Sequence, residues 1–315
     1  MKVPIKYFSL VGVILFVVIL SRINISQLLS VIFNSNYLLL FLSFLIVVIE
    51  VTIRSAKWKV LINIFNKKYN FKDALQTYLI GFAFGSVTPS KTGDLVKIID
   101  LKNKTNIDMK RCFSISVFDR IIDFLILIFT AIISTSTAVL VFTNLDPILI
   151  PILVILLVLF LSLLFCLTKY SKIMLKSFYY LIPKIFKDKV RDIYHAFREI
   201  IHIARNDFSF TLYAFLNLFA WVVSYFVPYI IARSIGLNIS ILYFLLLIPI
   251  IGVVEVLPIS LFGIGSRDIT LLVLFSPLGL KKEEIIGISM LLLLISMIPR
   301  TLAGFLISWK SKFKS

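Results

Sequence analysis

Residues 241–263, which read ILYFLLLIPIIGVVEVLPISLFG, are long enough to cross a bilayer but poorly suited to a straight crossing. A transmembrane helix needs about 20 mostly apolar residues, and proline or glycine within it interrupts the helical pattern. Pro249, Gly252 and Pro258 interrupt this stretch, and Glu255 places a carboxylate inside it. We therefore predict a broken helix that enters the membrane and returns to the same side.

A second stretch of this kind lies in the first half of the chain. Leu75–Val87 would extend only about 20 Å as a helix, which is short of a hydrocarbon core of roughly 30 Å. It runs into residues 88–94, which read TPSKTGD and are typical of a turn. Because basic segments flank it on both sides, and basic loops face the cytoplasm, we predict a re-entrant hairpin from the cytoplasmic side. The hairpin within 241–280 is predicted to enter from the outside.

The composition excludes a water-soluble globule. Hydrophobic residues make up 60% of the 315 residues, only 16% are charged, and the mean hydropathy is +1.03. The chain carries 33 Lys and Arg against 16 Asp and Glu, a formal net charge of +17. Because the basic residues lie between apolar blocks, we expect the membrane and anionic lipid headgroups as partners, and no nucleic acid.

Six further apolar blocks are predicted to be full spans. They are Ile5–Leu20, Tyr37–Ile53, Ile121–Phe142, Ile148–Leu167, Phe210–Ile231 and Ile285–Trp309. The basic segments Arg54–Lys72, Lys91–Arg120 and Lys169–Arg205 are assigned to the cytoplasm by their charge. The predicted fold is an all-α polytopic membrane helix bundle with six full spans, two re-entrant broken-helix hairpins and both termini cytoplasmic.

The order of these elements predicts an inverted repeat. Residues 1–143 read span, span, hairpin, span, and residues 144–315, with the basic cytoplasmic segment 169–207, repeat that order in the opposite direction. The two repeats would form one integral membrane domain. Inverted repeats with broken helices are common in secondary transporters. The alternative is eight plain spans, some of them short, which keeps the termini in place but removes the symmetry.

Charged residues at membrane depth are candidate functional residues, because they usually face protein or water. Lys91, Asp94 and Lys97 surround Gly93 in the first hairpin. Free N–H groups at a broken helix, beside two lysines, suit an anion. The alternative is an ordinary cytoplasmic loop.

A second cluster is expected to open the third span. Asp119 and Asp123 lie one helical turn apart, and Arg120 is placed to pair with Asp123. Two acidic residues would also complement the dipole of a helix that begins there. The alternative to a functional role is a capped and anchored helix start.

A third cluster lies in the second hairpin. Glu255 has no charged neighbour in sequence, and Arg267 and Asp268 follow Gly263 and Gly265, which allow the backbone to approach a ligand closely. The alternative is a purely structural ion pair.

Arg300 lies near the middle of the last predicted span, where a buried cation would contact a carboxylate or a lipid phosphate. The sequence contains no His/Cys/Asp metal spacing, no glycine-rich nucleotide loop and no Ser-His-Asp set. We therefore expect no cofactor and no catalytic site.

Four short motifs occur in order along the chain. They are RSAKW at 54–58, TPSKTGDLVK at 88–97, SVFDRIID at 116–123 and PISLFGIGSRD at 258–268. Together they resemble the flippase-like membrane family that includes the transmembrane region of lysylphosphatidylglycerol synthase. Asp94, Asp119 and Asp268 stand where that family usually has glutamate, so the charge is kept and the reach is one methylene shorter.

The resemblance implies a membrane domain that moves or presents an anionic lipid. In the synthase, a separate soluble domain transfers the aminoacyl group, and because this sequence ends shortly after Trp309 we do not expect that activity. The leading hypothesis is a lipid translocase of the cell membrane, moving an anionic phospholipid or a polyprenyl-phosphate-linked lipid, with a homo-oligomer possible. The alternatives are a membrane-embedded lipid-modifying enzyme or accessory subunit, and an ion-coupled small-solute transporter.

The translocase hypothesis assigns roles to the charged residues. The phosphate is expected to contact Lys91, Lys97, Arg267 and Arg300. The carboxylates that pair with these cations in the empty state are expected to be Asp94, Asp119, Asp123, Glu255 and Asp268.

Overall fold

The computed structural model of this chain describes residues 21, 24–65, 68–88, 93–105, 107–141, 146–167, 194, 198–203, 208–256 and 262–312. All regular secondary structure in these ranges is helical, as predicted. The predicted span Ile5–Leu20, Lys91, most of the basic segment 169–207 and both chain termini lie outside the described residues.

The described helices follow one another as a series of long and short elements. In chain order they are α1 (Ile25–Phe33), α2 (Tyr37–Phe65), α3 (Phe71–Ser86), α4 (Val96–Lys104), α5 (Met109–Val141), α6 (Asp146–Leu167), α7 (Ser209–Ser234), α8 (Ile241–Val256), α9 (Ser266–Phe275), α10 (Lys282–Leu292) and α11 (Ile298–Lys312). A π-helical turn at Leu293–Met297 joins α10 to α11, so these two form one long helix.

Four of these helices are long and apolar enough to cross a membrane. They are α2, α5, α7 and the joined helix α10–α11 over Lys282–Lys310. Shorter apolar helices occur at Leu149–Ser162, within α6, and at α8. The chain is therefore an integral membrane protein with several apolar helices.

Two spans extend beyond their predicted limits. Helix α2 continues to Phe65, past the predicted end at Ile53, and α5 begins at Met109 and not at Ile121. The predictions stopped where charged residues begin, because charge in sequence usually indicates exposure to water. Here some of these charges are buried against other helices, with Lys57 only 4% exposed and Asp119 only 6% exposed, and the helices continue through them.

Both segments that were predicted to be hairpins are broken helices. Helices α3 and α8 have 16 residues each, or about 24 Å, too short for a full crossing. Each is followed by a short helix, α4 of 9 residues or α9 of 10 residues. The residues before α9 include Gly263 and Gly265 with φ of +72° and +86°, a conformation that glycine adopts without strain.

The two broken segments touch at their tips. The Phe262 N–H, just before α9, donates a hydrogen bond of 3.3 Å to the carbonyl oxygen of Ser86, the last residue of α3. Ser86 and Phe262 are 176 residues apart in sequence, and their contact brings the two breaks to the same place in the bundle.

Helices of the two halves of the chain pack in antiparallel pairs. Helices α2 and α7 form the most extensive contact, with the Asn36 N–H bonded to the Ser234 carbonyl oxygen at 2.7 Å and Arg54 stacked on Trp221 further along. Helix α3 packs against α11, and α8 packs against α5. The first helix of each broken segment therefore lies against the last long helix of the other half.

Candidate functional site

A cavity of about 230 Å³ lies where the broken segments meet the long helices. Its wall is formed by residues of α2, α3, α4, α5, α7, α8, α9, α10 and α11, together with the π-helical turn and the loops before α4 and α9. The predicted site residues that line it are Asp94, Lys97, Asp119, Arg120, Asp123, Glu255, Gly263, Arg267 and Arg300. Aromatic rings, among them Phe82 and Trp221, form part of the same wall.

Three other predicted residues support this wall without lining the cavity. The Gly93 N–H donates to the Thr88 hydroxyl at 2.7 Å, and a Cβ at Gly93 would collide with the backbone of α3. The Asp268 carboxylate accepts from the Gly265 N–H at 2.7 Å and from the Ser289 hydroxyl. Asp268 is thus a buried cap for the start of α9, and its predicted pairing with the cations of the empty cavity stays a prediction.

The first hairpin contributes one cluster of ion pairs. The Asp94 carboxylate lies 2.5 Å from the guanidinium of Arg120 and 3.0 Å from the Lys97 ammonium. Lys97 also lies 3.2 Å from the Asp119 carboxylate. The predicted pairing of Arg120 with Asp123 is wrong, because Arg120 forms its ion pair with Asp94.

Residues of α2 continue this cluster toward the middle of the bundle. The Lys57 ammonium lies 3.1 Å from Asp119 and 3.3 Å from Asp123. Asp119 also accepts a hydrogen bond of 2.9 Å from the Tyr213 hydroxyl on α7. Because α5 begins at Met109, these two aspartates lie inside the helix and not at its start, so the expected helix start and the alternative of a capped helix start are both wrong.

The line of charges then reaches the second half of the chain. Arg54 lies 3.8 Å from Asp123 and 2.7 Å from Glu50, and Glu50 lies 3.2 Å from Arg300 on α11. Positive and negative groups alternate along the whole line, and each buried ion has an opposite charge beside it. Such pairing offsets the large desolvation cost of charges in an apolar interior.

A separate pair lies at the second hairpin. The Arg267 guanidinium is 3.5 Å from the Glu255 carboxylate. Its Nε donates to the Ser289 hydroxyl at 2.7 Å, and its Nη2 donates to the Ser289 carbonyl oxygen at 3.1 Å. Arg267 is 3% exposed, so its charge is held mainly by neutral oxygens and by one long ion pair.

Sequence reasoning missed three residues of this site, which are Glu50, Arg54 and Lys57 on α2. Arg54 and Lys57 were assigned to a cytoplasmic segment by their charge. The available indication was the four-residue spacing of Glu50 and Arg54 inside an apolar run, which places both on one helix face. Their partners on α5, α7 and α11 are distant in sequence.

The charges that line the cavity are nearly balanced. Among the described residues of its wall there are six cations and five carboxylates. These are Arg54, Lys57, Lys97, Arg120, Arg267 and Arg300, with Glu50, Asp94, Asp119, Asp123 and Glu255. The described residues contain no group of three or more His, Cys, Asp or Glu that could hold a metal ion. The arrangement is suited to holding an anionic group that exchanges with the protein's own carboxylates.

Comparisons with known proteins identify similar sequences over nearly the full chain. The family described as the lysylphosphatidylglycerol synthase TM region matches residues 7–304. UPF0104 membrane protein MJ1595 of Methanocaldococcus jannaschii is 23% identical, covering 97% of this chain and 95% of the relative. UPF0104 membrane protein PH1989 of Pyrococcus horikoshii is 24% identical, covering 96% of each.

Proposed function

This chain belongs to the family of the lysylphosphatidylglycerol synthase TM region, and from that premise we propose that it is a lipid translocase. Its substrate would be an anionic phospholipid or a polyprenyl-phosphate-linked lipid. The observation that carries the proposal is the cavity, in which ionised side chains from both halves of the chain converge halfway along apolar helices.

The physical obstacle to lipid movement is the charged headgroup. Carrying an ion through about 30 Å of hydrocarbon is costly because its hydration is lost. A cavity whose wall already holds cations replaces that hydration, since a phosphate that takes the place of a carboxylate meets its opposite charge already in position. In this mechanism Lys91, Lys97, Arg267 and Arg300 contact the phosphate.

The carboxylates neutralise these cations in the empty state. Two observed pairs support this role: Asp94 with Lys97 at 3.0 Å, and Glu255 with Arg267 at 3.5 Å. Alternate opening at the two broken segments would give access from each side in turn. The driving force would be a lipid gradient, the membrane potential or proton exchange at a carboxylate such as Glu255.

We further propose that the two halves form an inverted repeat, residues 1–143 and 144–315, within one membrane domain. The matched order and lengths of α2, α3, α4 and α5 with α7, α8, α9 and the joined helix α10–α11 support it. The antiparallel packing of α2 on α7 supports opposite directions for the two halves. The six spans, the two re-entrant segments and the cytoplasmic termini belong to this proposal.

The remaining parts of the proposal concern surroundings and chemistry. We propose that the protein lies in the cell membrane and that its partner is a lipid. The proposal allows a homo-oligomer, and it includes no cofactor and no enzymatic step of the protein's own. Incubating the purified protein with membrane lipids and analysing them by mass spectrometry tests the last point. A chemically changed lipid would favour the lipid-modifying alternative.

Reconstitution into vesicles tests the translocase directly. Vesicles containing a headgroup-intact, chain-labelled fluorescent phosphatidylglycerol are treated with an impermeant quencher, and the protected fraction measures transbilayer movement. We expect faster movement with the protein than with empty vesicles, and loss of that gain in Arg300→Ala. Arg233→Ala, which removes an exposed arginine bonded to Asn238 outside the cavity, is the matched control. Unchanged movement for a panel of anionic lipids would refute the proposal.

A further inference from the structure

Glu50 holds two arginines that come from different halves of the chain. Its Oε1 accepts a hydrogen bond of 2.7 Å from Arg54 Nε, and its Oε2 accepts one of 3.2 Å from Arg300 Nη1. All three side chains are buried, with 5% of Glu50 and 10% of each arginine exposed. One carboxylate therefore lies between two guanidinium groups in the wall of the cavity.

Other contacts fix the two guanidinium groups in place. Arg54 Cζ lies 4.6 Å from the centre of the Trp221 ring, and Arg300 Cζ lies 4.6 Å from the centre of the Phe82 ring. Arg300 Nε also donates to the Ser296 carbonyl oxygen at 2.6 Å, from the π-helical turn before α11. Stacking holds Arg54, and stacking together with the Ser296 bond holds Arg300, so both donors keep contacts that do not depend on Glu50 when the carboxylate moves away.

The charges around Glu50 favour the binding of a second anion to Arg54 and Arg300. Beyond Glu50, the nearest carboxylate to Arg54 is Asp123 at 3.8 Å, and Asp123 is shared with Lys57 at 3.3 Å. Arg300 forms its ion pair with Glu50. A phosphate has several oxygens that accept from two guanidinium groups at once, so it matches this pair better than a single carboxylate does.

We propose that Arg54 and Arg300 form a phosphate-binding site and that the Glu50 carboxylate occupies it when no ligand is bound. The inference rests on the proposed function and names where the headgroup phosphate binds. The entering phosphate exchanges with Glu50 on both arginines, and the direct ion pair between α2 and α11 is then released. Glu50 returns to the arginines when the phosphate leaves.

Tryptophan fluorescence gives a direct readout of binding. Trp58 and Trp221 line the cavity, whereas Trp309 is 68% exposed. In a Trp309→Phe background the purified protein in detergent is titrated with dihexanoylphosphatidylglycerol, glycerol phosphate or dihexanoylglycerol. We expect a saturable change with the two phosphate compounds and none with dihexanoylglycerol. Trp221→Phe should remove most of the change, because Trp221 stacks on Arg54.

The variant Glu50→Gln tests the exchange. Removing the competing charge should tighten binding of dihexanoylphosphatidylglycerol about tenfold, because a larger fraction of the protein then has a free site. The matched control is Asp73→Asn, which removes a carboxylate 4.0 Å from Lys104 outside the cavity and should leave the affinity unchanged. Wild-type or weaker affinity in folded Glu50→Gln would overturn the proposal.

A second variant tests the exchange if Glu50→Gln does not fold. Glu50→Asp keeps the charge but shortens the side chain by one methylene, so it cannot bridge both arginines as Glu50 does. It should tighten binding in the same direction by a smaller factor, with elution as a single species on gel filtration as the test of folding. No tightening in Glu50→Asp would overturn the proposal equally.

The ligands separate this inference from the proposed function. Binding of both phosphate compounds supports the site and the translocase together. Binding of glycerol phosphate without binding of the lipid supports the site for a soluble phosphate ester and refutes the translocase. If neither phosphate compound binds, or if dihexanoylglycerol binds as well as they do, the phosphate site is refuted.

Discussion

The Lys97 ammonium donates a hydrogen bond of 3.2 Å to the Asp119 carboxylate, across a sequence separation of 22 residues. Arg267 donates to Ser289 at 2.7 Å across the same separation of 22 residues. Both cations are the second residue of the short helix in a broken segment, and both are buried. The two breaks thus present a cation in equivalent positions. One is neutralised closely by a carboxylate, and the other is held mainly by Ser289, with the Glu255 carboxylate 3.5 Å away.

Asp119, the carboxylate that neutralises Lys97, is expected to be critical for stability. Its carboxylate holds Lys57 at 3.1 Å and Lys97 at 3.2 Å, and Asp119→Asn would leave each of these buried ammonium groups with one carboxylate, Asp123 or Asp94, in place of two. Breaking a buried ion pair costs about 3–5 kcal/mol, so we expect a large fall in the unfolding temperature measured in detergent. Asp73→Asn, at a more exposed pair, should cost about 1 kcal/mol or less. Equal falls for both variants would contradict this account.

A close approach between α3 and the loop before α4 predicts a selective loss of activity. A Cβ at Gly81 would overlap Asp94 Oδ1, so Gly81→Ala should push Asp94 away from Arg120 and abolish most of the lipid movement in vesicles. Gly252→Ala is the matched control on α8, because its Cβ would meet the flexible tip of Leu127 at 3.1 Å and Trp221 at an ordinary contact distance of 3.8 Å. Both changes remove a helical glycine, so a similar loss in both would show that helix stiffness and not Asp94 is responsible.

The contact between the broken segments predicts a reversible lock. The bond of 3.3 Å from the Phe262 N–H to the Ser86 carbonyl brings these two residues into contact, and a disulfide forms between residues whose α-carbons lie within about 7 Å. In a background with Cys112 and Cys166 replaced by serine, Ser86→Cys with Phe262→Cys should cross-link on oxidation. We expect the cross-link to stop lipid movement and a reductant to restore it.

The single variants provide the control for that experiment. Ser86→Cys alone and Phe262→Cys alone should respond to neither oxidant nor reductant. Full lipid movement in the cross-linked protein would show that the two tips need not separate during transport.

The broken helices could be predicted because their causes are local. The turn residues after Val87 act on the backbone at their own positions, and α3 ends near the predicted place, at Ser86. Helix α8 ends at Val256 and continues through Pro249 and Gly252, which were expected to interrupt it. The apolar character of the spans is local as well, so the class of protein followed from composition.

The partners of the buried charges could not be predicted in the same way. Arg120 pairs with Asp94, 26 residues earlier, and Arg300 pairs with Glu50, 250 residues earlier. The rule that basic segments face the cytoplasm treats each arginine or lysine as exposed. It therefore excluded Arg54 and Lys57 from the membrane, although helices distant in sequence surround them and neutralise their charge.

Photochemical labelling by the headgroup tests most directly whether lipid passes through the cavity. Vesicles with the protein and a phosphatidylglycerol carrying a photoreactive headgroup are irradiated, and the attached residues are mapped by mass spectrometry. We predict labelling of cavity-wall residues such as Phe82 and Trp221, reduced by excess unlabelled phosphatidylglycerol. Labelling confined to the helix ends, in protein that still moves the lipid, would contradict the account.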